Sequence, residues 1–223
     1  MQERAIRTRN AILSAAAKVF EERGFQAATI AEILAAARVT KGALYFHFQS
    51  KEDLAEGVLR EQDEQLVVPE RPCKVQQLVD VVMLHAYRLQ TDCMVRAGVR
   101  LTMDQHASGI DRSGPFLRWT DTCSHLLEKA QEQGETLPHV APAETAGVLV
   151  GSFAGVQAMS QAISDYGDLM TRVVELLRHV LPSVVQSAVL TSVDLAETRG
   201  AKVFAEARSL RGEREAVTDT PRS

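Results

Sequence analysis

The chain has 223 residues, 45% apolar and 24% charged, which is enough to fill a core and excludes a globally disordered chain. Its three cysteines, Cys73, Cys93 and Cys123, are odd in number, far apart and outside any zinc-type spacing, so the expectations are a reducing cytoplasm, no metal and no cofactor. The net charge of −4 hides an asymmetry: residues 1–51 hold eight Lys/Arg against four Asp/Glu, and the rest hold seventeen against twenty-five, so only the N-terminal end suits a polyanion.

Residues 3–23 place Ile6, Leu13, Ala16, Ala17 and Phe20 on one stripe at helical spacing, and Gly24 is a natural stop. Thr29 and Glu32 have capping-box spacing and open a short helix ending near Ala37, with Ile30, Ile33 and Leu34 inward. Arg38-Val39 leaves room only for a tight connection. Thr40 is a plausible cap for a third helix over 41–46. Ser50 opens a fourth, to about Leu66, before the prolines at 69 and 72 break the pattern.

Helices are expected beyond the break at 74–91, 94–105, 116–133, 142–166, 168–181 and 183–198. Breaks fall at 108–109 with 113–115, at 134–138, at 166–167 and at Pro182. No alternating runs suggest strands, so the fold class is all-α. The expected division is a helix-turn-helix domain over 1–50, a helical body over 51–200 linked through the helix 51–66, and a polar tail over 201–223 with at most a short helix at 201–210. The uncharged run 145–164 has the length of a membrane span, but its Ser, Thr, Gln, Gly and Ala content reads as a tightly packed buried helix, so no membrane is expected.

Two short helices joined by a tight turn behind a longer one, in a basic segment, have helix-turn-helix geometry. The second helix of such a pair enters the major groove and presents its first residues to the bases, here Thr40, Lys41, Gly42 and Ala43. Lys41 can donate to guanine O6/N7. Gly42 costs about 1 kcal/mol against alanine in a helix, a cost that close backbone approach to a partner would justify. Tyr45 and His47 are positioned to donate to phosphates, Lys51 adds charge at a helix N-terminus, and Thr29 can touch a phosphate from its cap. Leu44, Phe46 and Phe48 are expected in the core, Leu44 against Ile33 and Leu34. His47 has no second ligand nearby for a metal and no nucleophile to serve as a base.

The segments AAAKVFEERGFQAATIAEI and VTKGALYFHFQSKEDL resemble the DNA-binding domain of the TetR family of regulators. TKGALYFHF with KEDLA, together with MVRAGVRLTMD at 94–104 and GPFLRWTDT at 114–122, is similar to one branch, the γ-butyrolactone receptors of streptomycete-type bacteria. The resemblance implies a homodimeric transcriptional repressor that binds operator DNA and leaves it when a small diffusible signal (a γ-butyrolactone, butenolide or furan) binds the helical body. Regulation of secondary metabolism such as antibiotic biosynthesis, by a form of quorum sensing, is implied with it. An antibiotic or other hydrophobic ligand, or no ligand at all, remains an alternative.

The resemblance places Trp119, the only tryptophan, in the ligand pocket. Gln62 is a candidate hydrogen-bond donor to the ligand, Ser152 and Val156 face one way on the long helix, and Leu84, Val95, Leu101 and Phe153 are candidate walls. Gly147, Gly151 and Gly155 lie on one helix face at spacings of four and, with Val173, Val174 and Leu177, are candidates for a four-helix dimer interface, intrachain packing being the other use of such a glycine row. No nucleophile elbow, Walker A, HExxH or GxGxxG motif occurs, so an enzyme is not expected.

Overall fold

The computed structural model describes residues 2–64, 68–105, 107 and 109–218. Leu66, the expected end of the fourth helix, and Ser108 of an expected break lie outside the described residues. The fold is all-helical, and among the described residues the only strand-like pairing is an isolated bridge between Thr136 and Val185.

The chain forms two compact units, residues 1–65 with 91–115, and residues 66–90 with 116–223. This differs from the expected division near residue 50, and the reason is packing. The first unit contains α1 (Gln2–Ala27), α2 (Ile30–Ala37), α3 (Lys41–His47), α4 (Lys51–Glu64) and also α6 (Cys93–Met103). α6 packs along α1 and α4, where Arg96 pairs with Glu21 and the Arg100 guanidinium donates to the Glu21 carbonyl. Its Ala97 and Leu101 complete a core made by Ile12, Leu13, Phe20, Ile33, Leu44, Phe48, Leu54 and Val58. Each such side chain contributes about 1.5–3 kcal/mol when fully buried.

The local signals produce their elements. Thr29 Oγ1 accepts from the Glu32 N–H at 3.2 Å while the Glu32 carboxylate accepts from the Thr29 N–H at 3.0 Å, a complete capping box. Thr40 Oγ1 accepts from the Ala43 N–H at 3.2 Å and starts α3. Between them Arg38 turns left-handed at φ 55°, with its N–H donating to the Ala35 carbonyl. At Gly24 (φ 74°) α1 kinks but its helical pattern runs on to Ala27.

The second unit holds α5 (Lys74–Thr91), most of α7 (Ser113–Glu132), α8 (Pro142–Ser164), α9 (Leu169–Val180), the short α10 (Ser187–Leu190) and α11 (Arg199–Thr218). α5 is buried on nearly every side, from Val75 to Leu89. Its first turn is capped from a distance: Glu135 accepts from the N–H groups of Lys74 at 3.0 Å and Val75 at 2.8 Å. α7 begins at Ser113, so Gly114-Pro115 lie inside its first turn and do not break the chain; proline is tolerated there because the first N–H groups of a helix have no internal partner.

Two further expectations change. The helix expected at 183–198 reduces to a 3-10 turn, Leu181–Ser183, and the four residues of α10. The backbone beyond takes other partners: Asp194 N–H donates to Gln76 Oε1 at 2.7 Å and Ala196 N–H to Asp194 Oδ1 at 2.9 Å. The short helix allowed at 201–210 is the middle of a longer one, α11, with Val203 and Ala207 buried and Phe204 set 5.3 Å from the Tyr87 ring; residues 219–223 of the expected tail lie outside the described residues. Gly200 lets α11 approach α5, because a Cβ there would stand 2.6 Å from the Met83 carbonyl oxygen.

A buried charge cluster ties α11 and the segment before α5 to α5 itself. Asp80, whose side chain is 0% exposed, accepts from Arg71 Nε at 2.7 Å, from Arg199 at 2.8 and 2.7 Å, and from Gln76 Nε2 at 2.8 Å. Burial pushes the Asp80 carboxyl up, but the hydrogen bonds from Arg199, Arg71 and Gln76 outweigh it and hold the group below its ordinary value.

Candidate nucleic-acid interface and ligand site

On α3 the groups needed for groove contact stand outward. Thr40, Lys41, Gly42 and Tyr45 are exposed, while Ala43 and His47 are half-buried. Lys41 Nζ sits 5.8 Å from the Tyr45 ring centroid, so the two present one basic, aromatic surface. A Cβ at Gly42 would meet nothing within 4 Å, so no contact among the described residues demands the glycine.

Three neighbours depart from expectation. Phe46 is not core: it is 77% exposed, with its ring against His47 at 5.0 Å. The seven residues of α3 bury only Leu44, and Phe48 beyond its end turns in, so Phe46 falls on the outer side. Lys51 turns away from solvent, donating to the carbonyls of Phe25 at 2.9 Å and Ala28 at 3.1 Å and lying 4.5 Å from the Phe25 ring. It is a C-terminal cap for α1, where a cation meets the negative end of the helix dipole. Thr29 is exposed, but its hydroxyl donates to Glu32 Oε2 at 2.9 Å. Hydrogen bonds from Thr29 hold the Glu32 carboxyl below its ordinary value, which leaves a carboxylate where a phosphate was expected.

In the second unit the structure gathers three rings. His85 on α5 meets Trp119 on α7 edge-on at 4.3 Å, and Phe153 on α8 lies 5.4 Å from Trp119 and 5.5 Å from His85. Trp119 and His85 keep part of their surface accessible, as do Ser152 and Val156, whereas Leu84 and Phe153 are buried. Sequence reasoning named Trp119 and Phe153 and missed His85, since a lone histidine in an apolar helix looks like any core residue. It also missed Gln157, one turn beyond Phe153 on the same buried face of α8; its amide oxygen has no hydrogen-bond partner among the described residues. The other proposed ligand residues, Gln62, Val95 and Leu101, belong to the first unit. Leu101 is part of that unit's core, and Gln62 packs so tightly against Gly98 that a Cβ there would stand 2.0 Å from Gln62 Oε1.

Burial, and behind it the Arg88 charge, depress the His85 pKa to about 3, so the ring is neutral at physiological pH. An unfolded histidine takes its proton near 6.5, so acid favours the unfolded chain. Stability is expected to fall by about 2 kcal/mol between pH ~8 and ~5 on this account, and His85→Phe should remove that part of the slope. Denaturant unfolding at both ends of the range checks this; identical slopes in the two proteins would place the titration elsewhere. Burial also pushes the thiols of Cys93 and Cys123 up to about 12, which leaves them unreactive.

α8 presents a second, outward face. Gly147, Gly151 and Gly155 are exposed, and a Cβ at any of them would meet nothing within 4 Å. Val148 (62% exposed), Met159 and Ile163 extend this face. Ala146, Leu149, Val150, Phe153, Gln157 and Ser160 form the buried side. α8 is long and apolar enough to cross a membrane by length and composition, but this inner face packs within the unit. Val173, Val174 and Leu177, expected beside the glycines at an interface, are buried within the chain, because the apolar stripe of α9 is spent on its own unit.

The model for bacterial regulatory proteins of the tetR family matches residues 12–58. The A-factor receptor protein of Streptomyces griseus is 40% identical over 194 residues, which cover 86% of this chain and 69% of that protein. The crystal structure of full-length native TylP, a TetR regulator from Streptomyces fradiae, aligns over 93% of both chains at 42% identity with a TM-score of 0.82. That of a gamma-butyrolactone receptor described as ArpA-like covers 94% of this chain and 99% of its own at 28% identity, with a TM-score of 0.67. The chain belongs to the TetR family and is a DNA-binding transcriptional repressor, not an enzyme.

Proposed function

We propose that this protein is a cytoplasmic homodimer that represses genes of secondary metabolism and leaves its operator when a small, uncharged, largely apolar signal of the γ-butyrolactone type binds in the second unit. The observation that carries the ligand half is the Trp119–His85–Phe153 ring cluster, three rings from three helices with accessible surface left on two of them. Aromatic faces suit a flat lactone ring and an alkyl chain, and a neutral His85 adds no charge to repel them. The likeness to an A-factor receptor and to a gamma-butyrolactone receptor supports the ligand class.

The DNA half rests on the outer face of α3. Thr40, Lys41, Gly42 and Ala43 approach the bases, Tyr45 and His47 the backbone, and Phe46, now outward, adds an apolar surface for thymine methyl groups. The exposed glycine row of α8, with Val148 and Met159, is the proposed dimer face, which a second copy would cover about a two-fold axis. Ligand and operator are coupled because a ligand that binds better to one spacing of the two α3 helices shifts the dimer toward that spacing. The chain crosses between its units at 65/66, 90/91 and 115/116, which gives the coupling a covalent route.

The test is a gel shift on a duplex selected from random sequence, with and without synthetic γ-butyrolactones. Release supports the reading. Release by an antibiotic alone would move the ligand class, and indifference to every compound would leave a ligand-independent repressor. Lys41→Ala is expected to weaken operator binding about tenfold at moderate salt while the dimer elutes unchanged. Undiminished affinity removes Lys41 from the interface.

A further inference from the structure

The geometry points to a specific polar anchor in the second unit: the amide oxygen of Gln157 accepts a hydrogen bond from a hydroxyl of the ligand whose apolar part lies against Trp119 and Phe153. This rests on the reading of the ring cluster as a ligand site and adds to it a chemical requirement, an O–H donor.

Gln157 is 5% exposed, on the inner face of α8 with Phe153 one turn before it. Residues four apart on a helix are neighbours, so the amide stands beside the ring that Trp119 and His85 also touch. Its Oε1 has no hydrogen-bond partner among the described residues. Buried polar atoms are nearly always paired, because an unpaired one forfeits its hydration. The other polar groups of α8's buried face behave as expected: Ser160 donates to Asp168 at 2.6 Å. Gln157 is the exception, and it is the one beside the rings. A site that keeps an acceptor open discriminates strongly in favour of a ligand that donates to it, since an analogue without the donor leaves the acceptor buried and unpaired. A lactone carbonyl or an ether oxygen only accepts and cannot serve Oε1. A hydroxyl on the ring substituent or the alkyl chain can.

The experiment uses the full chain and two probes of equal size, 1-octanol and 1-methoxyheptane. They have the same number of carbon and oxygen atoms, but only the alcohol donates. Binding is read from the fluorescence of Trp119, the single tryptophan. The wild type is expected to bind octanol about tenfold more tightly than the ether. Gln157→Met, close in volume and unable to accept well, is expected to bind the two equally, to keep operator affinity, and to melt a few degrees higher without ligand.

Equal affinities in the wild type, preserved discrimination in Gln157→Met, or a lower melting temperature would each overturn the anchor. If discrimination holds but no lactone releases DNA, the lactone reading fails and the anchor stands. If hydroxylated lactones release DNA equally well from both proteins, the anchor fails and the lactone reading stands.

Discussion

Trp119→Ala is expected to leave operator binding within about threefold of the wild type and to raise the lactone concentration needed for release about a hundredfold. The asymmetry follows from placement. Trp119 stands on α7 in the second unit, whereas the outward groups of α3 depend on a core from the first, built on Ile12, Phe20, Ile33, Leu44 and Phe48. Removing the indole takes away the largest flat surface of the ring cluster, with its edge contact to His85 at 4.3 Å. A ligand that stacks there loses roughly half of the 150–250 Å² such a ring can bury, which at about 25 cal/mol per Å² is roughly 2–3 kcal/mol, or about a hundredfold in affinity. Trp119→Phe should recover part of the response because a ring remains. Gel shifts across a lactone titration check all three proteins, and release of DNA from Trp119→Ala at wild-type doses would show that the indole is only core.

The second large effect is on stability. Asp80→Ala is expected to destabilise the protein by about 3 kcal/mol, because it takes from Arg71 and Arg199, both mostly buried, the fully buried carboxylate they share and leaves them the more exposed Glu206 and Asp194. Replacing all three members with apolar residues of similar volume should recover most of the loss, since the desolvation cost of the ions then disappears with their attraction. Urea midpoints for the single and triple variants separate these outcomes. A single variant within about 1 kcal/mol of the wild type would show that the cluster is solvated enough to dispense with Asp80.

Where a signal was local, the sequence was a reliable guide. Thr29 and Glu32 fall three apart and form the capping box they spell; Thr40 caps α3; α5 spans 74–91 as its apolar spacing predicts. Each depends on groups within one or two helical turns, so neighbours in sequence decide them. The misreadings have the opposite character. Phe46 and Phe48 are both phenylalanines two apart in an aromatic run, and only the direction in which α3 ends sends one out and the other in. Lys51 resembles a phosphate contact until the end of α1 is brought under its ammonium, across more than twenty residues of chain. Residues 201–223 are polar enough to read as a tail with a short helix at 201–210, and α11 runs on to Thr218, with Gly200 and Phe204 set against Met83 and Tyr87 of α5.

By itself, the sequence determined the helical class, the caps and turns of the first helices, the basic outward residues of the third, and the family to which these belong. Those properties follow from backbone hydrogen bonding and helical periodicity, which act over a few residues. The tertiary structure decided which faces remain free. It spent the stripe of α9 on the interior and left the glycine face of α8 open. It drew His85, Trp119 and Phe153 together from three helices and left the amide oxygen of Gln157, one turn beyond Phe153, without a hydrogen-bond partner among the described residues. Burial and pairing of that kind depend on what arrives from elsewhere in the chain, and no window of sequence contains it.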